Sequence, residues 1–131
     1  MRKHYIPFAL TLAVAGCSYS YPVEAVFIRG KLHFVAEEKL NGCLNDFRVT
    51  SEAGEVMWAV EGDFRASPCE DSFPLAYGLV PRGLTSRSAA KPLKAGVLYK
   101  IEGSDGDRYY GAFRYRRQVV ITNTPGVARA F

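Results

Sequence analysis

Apolar and polar residues alternate in short runs along most of this chain, the period of half-buried strands. Val23 to Ile28 (Val-Glu-Ala-Val-Phe-Ile) reads as a first strand. Arg29-Gly30 is expected to bend it, and Lys31 to Val35 to continue it, with Leu32 and Phe34 on one face and His33 and Val35 on the other. Glu37 to Gly42 is a polar connection ending in a turn signal. Cys43 to Thr50 is a second strand, with Phe47 and Val49 in phase and Leu44 out of phase. A turn at Ser51 to Gly54 leads to a third strand, Glu55 to Val60, with Val56, Trp58 and Val60 on one face and Met57 and Ala59 on the other.

Gly62 to Ser72 reads as a loop, and Phe73 to Val80 as an edge-like strand because of Pro74. Pro81 to Lys94 carries no pattern that positions a strand. Val97 to Glu102 has Val97, Tyr99 and Ile101 in phase, and Gly103-Ser104-Asp105-Gly106-Asp107 is the strongest turn signal in the chain. Arg108 to Tyr115 is its hairpin partner, followed by a strand within Gln118 to Asn123 and a frayed tail at 124–131. About seven short strands with a turn every 8 to 12 residues or so predict an all-β domain over residues 23–123, an antiparallel sandwich first and a small closed barrel second.

Leu93-Lys94-Ala95-Gly96-Val97-Leu98-Tyr99-Lys100-Ile101 resembles the L-x-x-G-x-x-Y-x-hydrophobic stretch of fibronectin type III and related immunoglobulin-like domains. The resemblance covers about nine residues. It implies an immunoglobulin-like sandwich in which Tyr99 forms a corner, its ring in the core and its hydroxyl bonded to an upstream backbone group. Trp58 on a mid-chain strand suits a core tryptophan, although Cys69 follows it too early for the inter-sheet bridge of antibody domains.

The N-terminus departs from this pattern. Arg2, Lys3 and His4 precede an apolar run from Ile6 to Ala15, interrupted by Pro7 and Thr11, the layout of a secretory signal helix removed on maturation. Val14-Ala15-Gly16-Cys17 follows and resembles a bacterial lipobox. The resemblance implies a signal peptide over 1–16, a lipidated Cys17 at the mature N-terminus and a tether over 17–22. Several acyl chains, each buried methylene contributing about 0.8 kcal/mol, would hold the domain stably on a membrane. Ser18 rather than Asp after the Cys resembles the outer-membrane sorting pattern, facing the periplasm, of Gram-negative lipoproteins. No run reaches the roughly 18 apolar residues of a membrane-spanning helix.

Removing Arg2 and Lys3 changes the charge picture. The whole chain has 17 Lys and Arg against 13 Asp and Glu; without those two the excess halves, and a nucleic-acid partner loses its main support. Of three cysteines, Cys43 and Cys69 remain, and an even pair in an exported chain is expected to form a disulfide. Closing that loop of about 26 residues would contribute roughly 3 kcal/mol. A metal site would need more ligands, His33 being the one histidine left after processing, and a redox pair would favour C-x-x-C.

Candidate chemistry is sparse. His33 would be the base of any Ser-His-Asp triad, but it sits on a strand between apolar neighbours. The acidic pairs Glu37/Glu38, Glu70/Asp71 and Asp105/Asp107 lie in turn-rich stretches, and Asp105-Gly106-Asp107 lacks the twelve-residue calcium-loop pattern. No catalytic residue, metal or cofactor is expected. The remaining feature is the last hairpin. Tyr109, Gly111, Phe113 and Tyr115 form an inward row, and Arg108, Tyr110, Arg114 and Arg116 an outward one. Guanidinium forks suit carboxylate and phosphate, so the outward row is a candidate anion-binding face; a charged strand guarding a sheet edge is the other explanation. The expected role is binding or assembly at the cell envelope, with an envelope protein as partner. The alternatives are an accessory structural subunit of an envelope complex, or a binder of anionic envelope lipid or glycan through the Arg/Tyr strand face.

Overall fold

The computed structural model describes residues 20–36, 44–62, 73–116 and 120–123. Among these residues there is no helix. The chain forms β1 (Ser20–Ile28), β2 (Lys31–Ala36), β3 (Asp46–Ser51), β4 (Val56–Gly62), β5 (Leu75–Ala76), β6 (Leu84–Ser88), β7 (Tyr99–Ser104), β8 (Arg108–Arg116) and β9 (Val120–Asn123). Period-two patterning sets the buried face: Phe47 and Val49 on β3, Tyr99 and Ile101 on β7, and Tyr109 and Phe113 on β8 all point inward.

The strands are ordered β5-β2-β1-β8-β7-β3-β4-β6, with β9 also paired to β8. This one sheet curls on itself. Phe34 of β2 meets Phe47 of β3 at 5.3 Å between ring centroids, Phe113 of β8 at 5.7 Å and Trp58 of β4 at 6.5 Å. Such ring pairs contribute about 0.5–1.5 kcal/mol each beyond the area they bury. Trp58 is in the core, as its strand position predicts.

The pairing is mixed rather than wholly antiparallel. Ser20, Tyr21 and Pro22 run parallel to Arg108, Tyr109 and Tyr110, and from Val23 onward β1 pairs antiparallel with β2. Ser20–Pro22, expected in the tether, are therefore already strand, with the Tyr21 ring stacked on Tyr109 at 5.6 Å. β1 leaves β8 across Gly111, where a β-carbon would overlap the Val23 carbonyl oxygen. β9 takes over the same edge of β8 from Phe113 to Arg116. The Asn123 side chain closes the gap: its Oδ1 accepts from the Ala25 amide at 2.8 Å, and its Nδ2 donates to the Ala25 carbonyl at 3.0 Å.

Three expectations need correction, and one stretch without a predicted strand gains one. Arg29-Gly30 does not bend a continuing strand but folds it back as a two-residue hairpin, with φ of 51° and 76° and Ile28 opposite Lys31. Met57 is buried beside Trp58 instead of facing away, because the pairing skips from Val49–Trp58 to Thr50–Val56 and leaves Met57 as a bulge. The strand expected over Phe73 to Val80 shrinks to Leu75–Ala76, ended by the turn in which the Leu79 amide donates to the Ala76 carbonyl. The unpatterned stretch after Pro81 contains β6, which pairs with β4.

Tyr99 behaves as the corner motif implies. Its ring is buried, and its hydroxyl accepts the Lys94 amide at 2.7 Å, five residues upstream.

Candidate functional site

The last hairpin separates its residues as the alternation predicts. Tyr109, Gly111 and Phe113 are buried, whereas Arg108, Arg114 and Arg116 are exposed. Tyr110 is half-buried against Leu98 and Ala112, a small apolar cluster on the outer side of the sheet. At a rise of about 3.4 Å per residue, Arg114 and Arg116 lie roughly 7 Å apart, and Arg108 lies about 20 Å from Arg114. The four residues are thus one row and not one pocket. Arg114 and Arg116 come together, and Arg108 with Tyr110 forms the other end.

Neighbouring strands present charges that neutralise each other. Arg48 of β3 donates through Nη2 at 2.5 Å and through Nε at 2.9 Å to Glu102 Oε2, and Lys100 Nζ lies 2.6 Å from Glu102 Oε1. Burial works against the Glu102 charge, but the Lys100 and Arg48 contacts outweigh it and hold the carboxyl below its ordinary range. Asp46 accepts from the Ser104 hydroxyl at 2.6 Å, Glu61 pairs with Arg87 at 3.1 Å and Glu55 with Lys91 at 3.0 Å. Among the described residues, Arg108, Arg114 and Arg116 enter no such pair.

β8 is also an interior strand, with β7 on one side and β1 and β9 sharing the other. A guard against edge-to-edge pairing belongs on an edge strand. The exposed arginines therefore have no such work to do where they stand.

The other candidates are occupied by local structure. His33 Nδ1 donates to the Lys31 carbonyl at 2.8 Å. Asp105 Oδ1 accepts from the Asp107 amide at 2.9 Å, and Oδ2 accepts from the Tyr109 hydroxyl at 3.2 Å, so this carboxylate shapes the β7–β8 turn. Among the described residues no three His, Cys, Asp or Glu side chains cluster in a way that could hold a metal ion. Cys17, Cys43, Cys69, Glu37/Glu38 and Glu70/Asp71 lie outside the described residues.

Two shallow grooves flank the β3–β4 turn. One, of about 410 Å³, is bounded by Arg48, Thr50, Ser51, Lys100 and Glu102; the other, of about 470 Å³, by Glu55, Met57, Pro92, Val97 and Tyr99. The Arg48–Glu102–Lys100 group escaped the sequence reading because Arg48 and Glu102 are brought together by the β3–β7 register, across 54 residues of chain. Compared with known proteins, the chain matches no family model, no curated protein and no solved structure.

Proposed function

We propose that this chain is a lipid-anchored domain of the cell envelope whose role is binding or assembly rather than catalysis. The anchor is Cys17 of the Val14-Ala15-Gly16-Cys17 motif, and Ser18 supports an outer-membrane position facing the periplasm in a Gram-negative cell. In this reading the curled sheet is a variant of the immunoglobulin-like sandwich, supported by the Tyr99 corner and the Trp58 core, and a Cys43–Cys69 disulfide ties its loops. No nucleic acid or cofactor takes part.

The observation that carries the binding role is the row of exposed arginines on an interior strand, which enter no salt bridge among the described residues. A row about 27 Å long suits an extended anionic partner better than a small one. A second reading, an accessory subunit held within a larger envelope assembly, is favoured by Leu79, which is 66% exposed, beside Val80 at 37%.

The test is recovery of envelope material with the full-length protein from gently solubilised membranes, beside Cys17→Ser and Arg114→Ala/Arg116→Ala variants. Intact mass is read from the same samples. The proposal expects acyl mass on Cys17 and weaker association for the double arginine variant, most clearly at low salt. An unmodified Cys17 removes the anchor. Association unchanged at low salt removes the arginine row from the binding role.

A further inference from the structure

The β1–β8 pairing fixes where the arginine row stands relative to an anchor at Cys17. Ser20 is opposite Arg108, and it lies three positions after Cys17 in the chain. A fully extended chain covers at most about 11 Å over three residues, and paired strands lie about 4.8 Å apart. The Arg108 backbone is therefore within roughly 16 Å of the lipidated residue, whatever path the chain takes. Its long side chain shortens that gap further. Headgroup charge is felt over a Debye length of about 8 Å at physiological salt.

From that point β8 runs in the same direction as β1, so the row starts at the anchor and extends away from it. Arg114 and Arg116 lie about 20 and 27 Å further along. Elsewhere on the outer face, Arg48 and Lys100 pair with Glu102, and Arg87 with Glu61. Tyr110, between the arginines, has the amphipathic ring that suits a membrane–water boundary.

We propose that the β8 row of Arg108, Arg114 and Arg116 lies flat on the anionic phospholipid surface of the membrane that holds the Cys17 anchor. This rests on the lipid-anchor reading above. The anchor supplies proximity, and the three guanidinium groups set orientation. Phosphate is the group they meet, through the planar fork that suits it. Arg87 serves as an internal comparison. β6 is four strand positions from β8, and a twist of roughly 20–25° per strand turns it well away from the surface β8 rests on.

The experiment reconstitutes the full lipidated chain into vesicles of phosphatidylcholine alone and of phosphatidylcholine with about a third phosphatidylglycerol. Arginines are modified with phenylglyoxal, and each site's rate is read by peptide mass. On anionic vesicles at low salt, Arg108, Arg114 and Arg116 are expected to react about fivefold more slowly than on neutral ones. Arg87 is expected to react equally on both, and 0.5 M-class salt to restore the three rates. Equal rates on both vesicles, with acyl mass present on Cys17, overturn the inference while the anchor stands. Slowing confined to Arg108 also overturns it, since the row is then upright and its far end free for another partner. Absence of acyl mass on Cys17 overturns the anchor reading itself, and this inference with it.

Discussion

Arg29 holds φ at 51°, the left-handed region that costs an ordinary L-residue roughly 1–2 kcal/mol. It does so because the β1–β2 hairpin has a two-residue loop, and both loop residues must take positive φ to match the strand twist. Gly30 meets that demand without strain, and Arg29 does not. Arg29→Asn is expected to stabilise the domain by about 0.5–1 kcal/mol, since asparagine tolerates this conformation. Urea unfolding checks it, with a raised midpoint at unchanged slope the expected result. Gly111 is the opposite case. It is required by contact rather than by turn geometry, because the Val23 carbonyl occupies the space a side chain would need.

Between elements, the join of β9 to β1 rests on one side chain. Asn123 offers an acceptor and a donor to the backbone of Ala25, imitating the bonds a neighbouring strand would make. Ala25 is buried, so losing both bonds leaves two backbone groups without partners. Asn123→Ala is expected to cost about 2–4 kcal/mol. Asn123→Asp is expected to recover less than half, because a carboxylate accepts from the amide but repels the carbonyl. Thermal unfolding of both variants distinguishes lost bonds from lost volume. Much of the strand content was legible in the sequence where it depends on near neighbours. The β8 alternation, the Tyr99 corner and the core position of Trp58 each follow from spacing within a few residues. Features set by register were not legible. The Met57 bulge, the parallel run of Ser20–Pro22 and the Arg48–Glu102 contact depend on which strands meet and with what offset. The β1–β2 hairpin was hidden differently, since Arg-Gly lacks the Asn-Gly or Asp-Gly signature of its turn. Of the candidate site, the exposed arginines were readable and their division into two ends was not.

At the scale of the whole molecule, two of the described groups tie stability to pH. Glu102 is held below its ordinary value of 4.5, so its stabilising contribution is complete above that value and is lost as pH falls through the folded-state value. Burial first, and then the nearby Asp105, push the Tyr109 phenol far above its ordinary value of 10.0. Its contribution is complete below pH 10.0 and declines as pH rises beyond it. Glu102→Gln is expected to lower Tm at neutral pH and to shrink the loss of Tm on acidification, leaving the alkaline limb as it was. Tyr109→Phe is expected to lower Tm slightly at neutral pH through loss of the Asp105 hydrogen bond, to soften the alkaline limb and to leave the acid limb as it was. A series of melts from acid to alkaline pH reads both. The parallel pairing of Tyr21 with Tyr109 has a consequence in time rather than in space. A chain that emerges N-terminus first delivers the start of β1 long before β8 exists to receive it. The β1–β2 hairpin can close early, since its contacts are local. Ser20, Tyr21 and Pro22 must wait for nearly the whole domain to follow. Throughout that interval Ser20, Tyr21 and Pro22 have not met their partners on β8, so the parallel seam closes late in folding.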